Sequence, residues 1–95
     1  MTEKQLQNKI IKFLKNNNIF YLKINDRFQY GIPDLYILVN GQSIWVELKS
    51  KTGSVSVIQY RTISKINDHG GLALVIRDYD TLIDYLGDIK KGVEK

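Results

Sequence analysis

Cysteine is absent from this chain of 95 residues, and histidine occurs once, at position 69. Disulfides and thiolate metal sites are therefore excluded, and so is a zinc site of the usual nitrogen and sulfur kind; any metal must be held by oxygen. The lack of cysteine fits an intracellular, cytoplasmic setting. No apolar run approaches the roughly 20 residues that a membrane span requires, and the opening segment MTEKQLQNKI is too polar for a signal peptide. Proline occurs once, and no Gly-, Pro- or Ser-rich tract, repeat or low-complexity segment divides the chain. Residues 1–95 are expected to form one domain with a single core.

Acid is scarce in most of the chain. Five of the ten acidic residues, Asp78, Asp80, Asp84, Asp88 and Glu94, lie near the C-terminus, so the net charge of +4 belongs to the body. A basic body permits contact with phosphates without specifying it.

Apolar periodicity divides the chain into elements. Thr2 and Gln5 have capping-box spacing, and Leu6, Ile10, Phe13 and Leu14 follow at helical intervals until Asn16-Asn17-Asn18. Ile19 to Ile24, rich in β-branched and aromatic residues, predicts a strand. A second capping box, Ser56 with Gln59, opens a helix carrying Ile58, Ile63 and Ile66 that stops at Gly70-Gly71. Leu72 to Ile76 is a continuous apolar run, expected to be a strand buried on both faces, and Leu82, Ile83, Leu86 and Ile89 mark a closing helix. With two more strands between residues 33 and 49, the order is αβββαβ plus a C-terminal helix. The strand–helix–strand unit late in the chain implies a crossover, hence a mixed four-stranded sheet flanked by helices.

The segment PDLYILVNGQSIWVELK, Pro33 to Lys49, carries the chemistry. Asn40-Gly41 between alternating apolar runs signals a two-residue hairpin turn. That register puts Leu35, Ile37, Val39, Ile44, Val46 and Leu48 on one apolar face. Asp34, Tyr36, Leu38, Ser43, Trp45, Glu47 and Lys49 share the other, with Asp34 opposite Glu47. Like charges so placed destabilise a sheet. Either both acids sit at a frayed, solvated hairpin end with Lys49 neutralising part of their charge, or a divalent cation lies between them. Hard oxygen ligands suit Mg2+ or Mn2+. Phosphodiester hydrolysis would also need a positive group near the polarised water, and Lys49, two residues from Glu47, projects to the same face.

These residues resemble the PD-(D/E)xK nuclease superfamily: Pro33-Asp34, twelve intervening residues, then Glu47-Leu48-Lys49. Gly31-x-Pro33-Asp34-Leu35 and Ser56-x-x-Gln59 are similar to its virus-type replication-repair nuclease (VRR-NUC) branch. The resemblance implies an α/β, restriction-endonuclease-like core and a metal-dependent endonuclease hydrolysing phosphodiester bonds in DNA. It also implies that Asp34, Glu47 and the backbone carbonyl of Leu48 bind Mg2+ or Mn2+, that Lys49 positions the nucleophilic water, and that Gln59 and Glu3 complete the catalytic set. Stand-alone domains of this type suggest a phage or other mobile element, a homodimer and branched DNA such as Holliday junctions. Flap, single-stranded or plain duplex DNA is the alternative substrate, and a non-catalytic nucleic-acid-binding module with the same fold is the alternative function.

Each residue also has a purely structural use. Gln59 would cap its helix, Glu3 would complement the positive end of the first helix, and Tyr36 with Trp45 would form a cross-strand pair or border the nucleic-acid path. Gly31 and Pro33 serve as turn residues in either case. Arg27, Phe28 and Tyr30 precede the first acid, where they would meet phosphates or a second subunit. Arg27, Lys51 and Arg61 are the expected nucleic-acid contacts.

Overall fold

The computed structural model describes residues 1–25 and 30–90. Its elements are α1 (Glu3–Asn16), β1 (Phe20–Lys23), β2 (Leu35–Val39), β3 (Gln42–Leu48), α2 (Val57–Asp68), β4 (Ala73–Ile76) and α3 (Tyr79–Lys90), in the expected order. They form one four-stranded sheet in the order β1-β2-β3-β4. The first two pairings are antiparallel and the β3–β4 pairing is parallel, so the sheet is mixed.

The hairpin register follows from its turn. Asn40 and Gly41 both take positive φ, 51° and 77°, as a turn matching the twist of the strands requires. Leu35 then lies opposite Val46, Tyr36 opposite Trp45 and Ile37 opposite Ile44. Because side chains alternate, Leu35, Ile37, Val39, Ile44, Val46 and Leu48 all fall on one side, and all are buried. Leu6, Ile10 and Leu14 of α1 and Leu82, Leu86 and Ile89 of α3 join them in one cluster. Burying each such side chain contributes roughly 1.5–3 kcal/mol, which sets α1 and α3 against this side of the sheet.

Helix ends are specified locally. Thr2 caps α1 and Ser56 caps α2, each in a complete capping box with the glutamine three residues on. Asp78 accepts hydrogen bonds from the Thr81 backbone N–H and hydroxyl at the start of α3. The Thr81 N–H holds the Asp78 carboxyl below its ordinary value, so this local stabilisation is complete above that value and fades as pH falls through the lowered one. Among the described residues, no helix is long and apolar enough to cross a membrane.

The expectation for the last strand is corrected. β4 lies at the sheet edge, and Val75 is 37% exposed while Ala73 and Ile76 are buried. An apolar run reports hydrophobicity but not which strands flank it, and among the described residues β4 has a partner on one side only.

Gly31 sets how the chain enters β2. Its φ is +64°, and an added Cβ would lie 2.5 Å from Ile58 Cγ2 and 2.6 Å from the Ile58 carbonyl oxygen, at the first turn of α2. Thr62 of α2 donates to the neighbouring Tyr30 carbonyl, fastening the same segment. Because the clash is partly with backbone, a side-chain shift cannot relieve it. Gly31→Ala is expected to destabilise the fold by at least about 2 kcal/mol in urea unfolding; a change below about 0.5 kcal/mol would show that the segment is not held against α2.

Candidate metal centre

Asp34 sits just before β2 and closes the sheet end twice. Its backbone carbonyl accepts from Ile24 N–H at 2.8 Å, extending the pairing of β1 with β2. Its side-chain Oδ2 accepts from Leu48 N–H at 2.8 Å, across the hairpin. The residue is 1% exposed. A solvated, frayed hairpin end is therefore ruled out.

Glu47 is equally buried, at 1%. It lies on the side of the sheet opposite the main core, where α2 packs near β4. Gln59 Nε2 donates to Glu47 Oε2 at 3.1 Å, and Lys49 Nζ lies 3.7 Å from the same oxygen. Gln59 also completes the capping box, its Oε1 accepting from Ser56 N–H at 3.0 Å. The helix-capping contact and the contact to Glu47 are made by opposite ends of one amide.

Glu3 arrives from α1. It occupies the first turn, where the positive helix end favours an acid, and it shares the inward stripe of Leu6 and Ile10. One carboxylate oxygen from each of Glu3, Asp34 and Glu47 lies within 4.8 Å of the others. A place in the first turn of α1 is thus compatible with a place beside Asp34 and Glu47.

At that separation two full negative charges repel by about 3 kcal/mol for an effective dielectric of about 20. Lys49 brings a full positive charge to salt-bridge distance of Glu47, its Nζ 3.7 Å from Oε2. Three hard oxygen donors, two of them buried, form a donor set that fits a small divalent cation such as Mg2+ or Mn2+ and disfavours softer metals. The Leu48 peptide lies between Asp34, which accepts its N–H, and Lys49, whose N–H donates to Ile76 O at 3.1 Å.

The expected nucleic-acid contacts are more dispersed. Lys51 is exposed on the turn after β3, lining a cavity of about 500 Å3 with Lys9, Arg77 and Asp78. Arg61 is exposed on α2. Arg27 and Phe28 lie outside the described residues. Tyr36 and Trp45 form the cross-strand pair, with ring centroids 4.9 Å apart. His69 ends α2, its Nδ1 2.7 Å from Lys65 O. Arg77 drew no attention in the sequence, where it is a lone cation after an apolar run. Its hydrogen bonds to the turn after β3 come only from the pairing of β3 with β4.

No protein-family model matches the chain, and no curated protein does. Among solved structures, a chain described as a VRR_NUC domain protein superposes with a TM-score of 0.80 at 18% sequence identity, covering 100% of this chain and 97% of that one. With three helices packed on a mixed four-stranded sheet and an acidic cluster at the sheet end, the chain has the restriction-endonuclease-like α/β fold of a VRR_NUC domain.

Proposed function

We propose that this protein is a VRR-NUC nuclease, a divalent-metal-dependent endonuclease that hydrolyses phosphodiester bonds in DNA. The observation that carries this reading is the convergence of Glu3, Asp34 and Glu47 from three separate elements, with Lys49 beside Glu47. Oxygens of Asp34 and Glu47 and the Leu48 carbonyl would hold Mg2+ or Mn2+, with Glu3 completing the acidic set. The bound ion would supply Lewis-acid stabilisation of the charge that develops on the phosphate oxygens and lower the pKa of water.

The chain's own residues do the rest. Lys49 places an ammonium beside Glu47, where it orients a water oxygen toward phosphorus and stabilises the developing negative charge. Water attack forms the new P–O bond as that water releases a proton to solvent, the ester P–O bond opposite it breaks, and the leaving oxygen takes up a proton from solvent. Gln59 keeps Glu47 in place by donating to Oε2. Lys51 and Arg61, with Arg27, supply charge for backbone phosphates, which positions DNA without reading its sequence.

A single domain of this size offers little surface with which to grip a duplex. A homodimer acting on branched DNA, Holliday junctions among them, is the favoured assembly, since a two-fold pair offers two sites to two strands. The favoured setting is the cytoplasm, including that of a phage-infected host.

Two outcomes are expected. Mg2+ or Mn2+ raises the melting temperature of the parent protein, and Glu47→Gln abolishes that rise while leaving metal-free stability equal or higher, because it removes one of three crowded charges. A parent whose melting temperature ignores both ions removes the metal centre. On four-way, flap, single-stranded and linear DNA, the parent cleaves four-way DNA fastest in Mg2+ or Mn2+. Asp34→Ala and Lys49→Ala lose at least about a hundredfold in rate, and chelation stops the reaction. Cleavage that survives Asp34→Ala assigns the chemistry elsewhere, and equal cleavage of all four substrates removes the preference for branches.

A further inference from the structure

Arg77 stands one residue beyond β4, and the parallel pairing determines where it arrives. Leu48 lies opposite Ile76, and Lys49 N–H donates to Ile76 O, so the segments that follow β3 and β4 leave the sheet side by side. After Lys49 the chain turns at once, Gly53 N–H donating to Ser50 O at 3.2 Å. Nη1 of Arg77 donates into this turn, 2.8 Å from Ser50 O and 2.6 Å from Gly53 O, with Lys51 O at 3.4 Å. Three peptide carbonyls therefore converge on one cationic nitrogen. Hydrogen bonds to an ionised donor are roughly twice as strong as neutral ones, and the planar guanidinium is ordered before it makes them.

The same turn touches the site. A Cβ added at Gly53 would lie 3.6 Å from Cδ of Lys49, so the turn passes beside the lysine stem. The Lys49 side chain is only 14% exposed, unusual for a residue type that is almost never fully buried. Its ammonium meets Glu47 at 3.7 Å, beyond ordinary hydrogen-bond length, so this contact alone does not fix a flexible four-carbon stem.

We propose that Arg77 is a positioning residue for the nuclease reaction: by clasping the carbonyls of Ser50, Lys51 and Gly53 it holds the turn on the Lys49 stem and so sets the ammonium beside Glu47. The role rests on the nuclease reading above. Arg77 acts through the turn, and removing it displaces Lys49 without removing any member of the acidic cluster.

The test compares the parent with Arg77→Ala and Arg77→Lys by steady-state DNA cleavage in Mg2+, and by the rate of tryptic cleavage after Lys51 in the metal-free protein. Arg77→Ala is expected to lower kcat about tenfold to a hundredfold, since a misplacement near 1 Å costs about that much, with KM within about twofold of the parent. Tryptic cleavage after Lys51 should accelerate at least about tenfold as the turn opens locally. Arg77→Lys, which retains a cation and three donors, should recover most of both losses. An Arg77→Ala protein with the parent's kcat, or with its loss confined to KM, overturns the positioning role, as does a turn cut no faster than in the parent. A parent that cuts no DNA overturns the nuclease reading and this role with it, whereas an active parent beside an unchanged Arg77→Ala overturns this role alone.

Discussion

Carboxylates that repel one another are held together here by structure that is stable for other reasons. The Asn40-Gly41 turn fixes a register in which the apolar side of the hairpin is buried, and Asp34 and Glu47 are carried to the same sheet end as a consequence. Slipping that register by one residue would relieve the acids, but it would also turn Leu35, Ile37, Val39, Ile44, Val46 and Leu48 away from α1 and α3. Burial of six such side chains outweighs a repulsion of a few kcal/mol. The acidic cluster is thereby retained at the sheet end.

Neighbouring elements deliver the remaining groups by the same logic. α1 packs through Leu6, Ile10 and Leu14, and its inward stripe brings Glu3 to the cluster. α2 approaches closely enough at Gly31 to exclude any side chain there, and its first turn supplies Gln59 to Glu47. β3 and β4 run in parallel and end together, so Lys49 and Arg77 emerge as neighbours at their carboxyl ends, where open α/β sheets place their ligands. In each case an apolar or backbone contact places a polar group.

What could be read from the sequence divides along local and non-local lines. The hairpin register, the capping boxes at Thr2 and Ser56 and the apolar face of β2 and β3 are set by residues a few positions apart, and all appear as expected. Asp34 and Glu47 could be placed together because strand alternation carries over to the ends of strands, and helix periodicity turned Glu3 toward the sheet, whereas only the family resemblance joined Glu3 to them. The edge position of β4 and the fit of Gly31 against Ile58 depend on how distant segments cross, and the Arg77 clasp joins residues more than twenty positions apart. Gln59 combines both kinds of contact: its Oε1 takes the local partner, Ser56 N–H, and its Nε2 the distant one, Glu47, which only the packing of α2 against the sheet supplies.

Anomalous diffraction from a manganese-soaked crystal bears most directly on the account. It should reveal a metal peak about 2 Å from carboxylate oxygens of Asp34 and Glu47, with Glu3 beside it. A well-ordered crystal with those carboxylates in place and no peak among them, or with manganese bound only elsewhere, would contradict it.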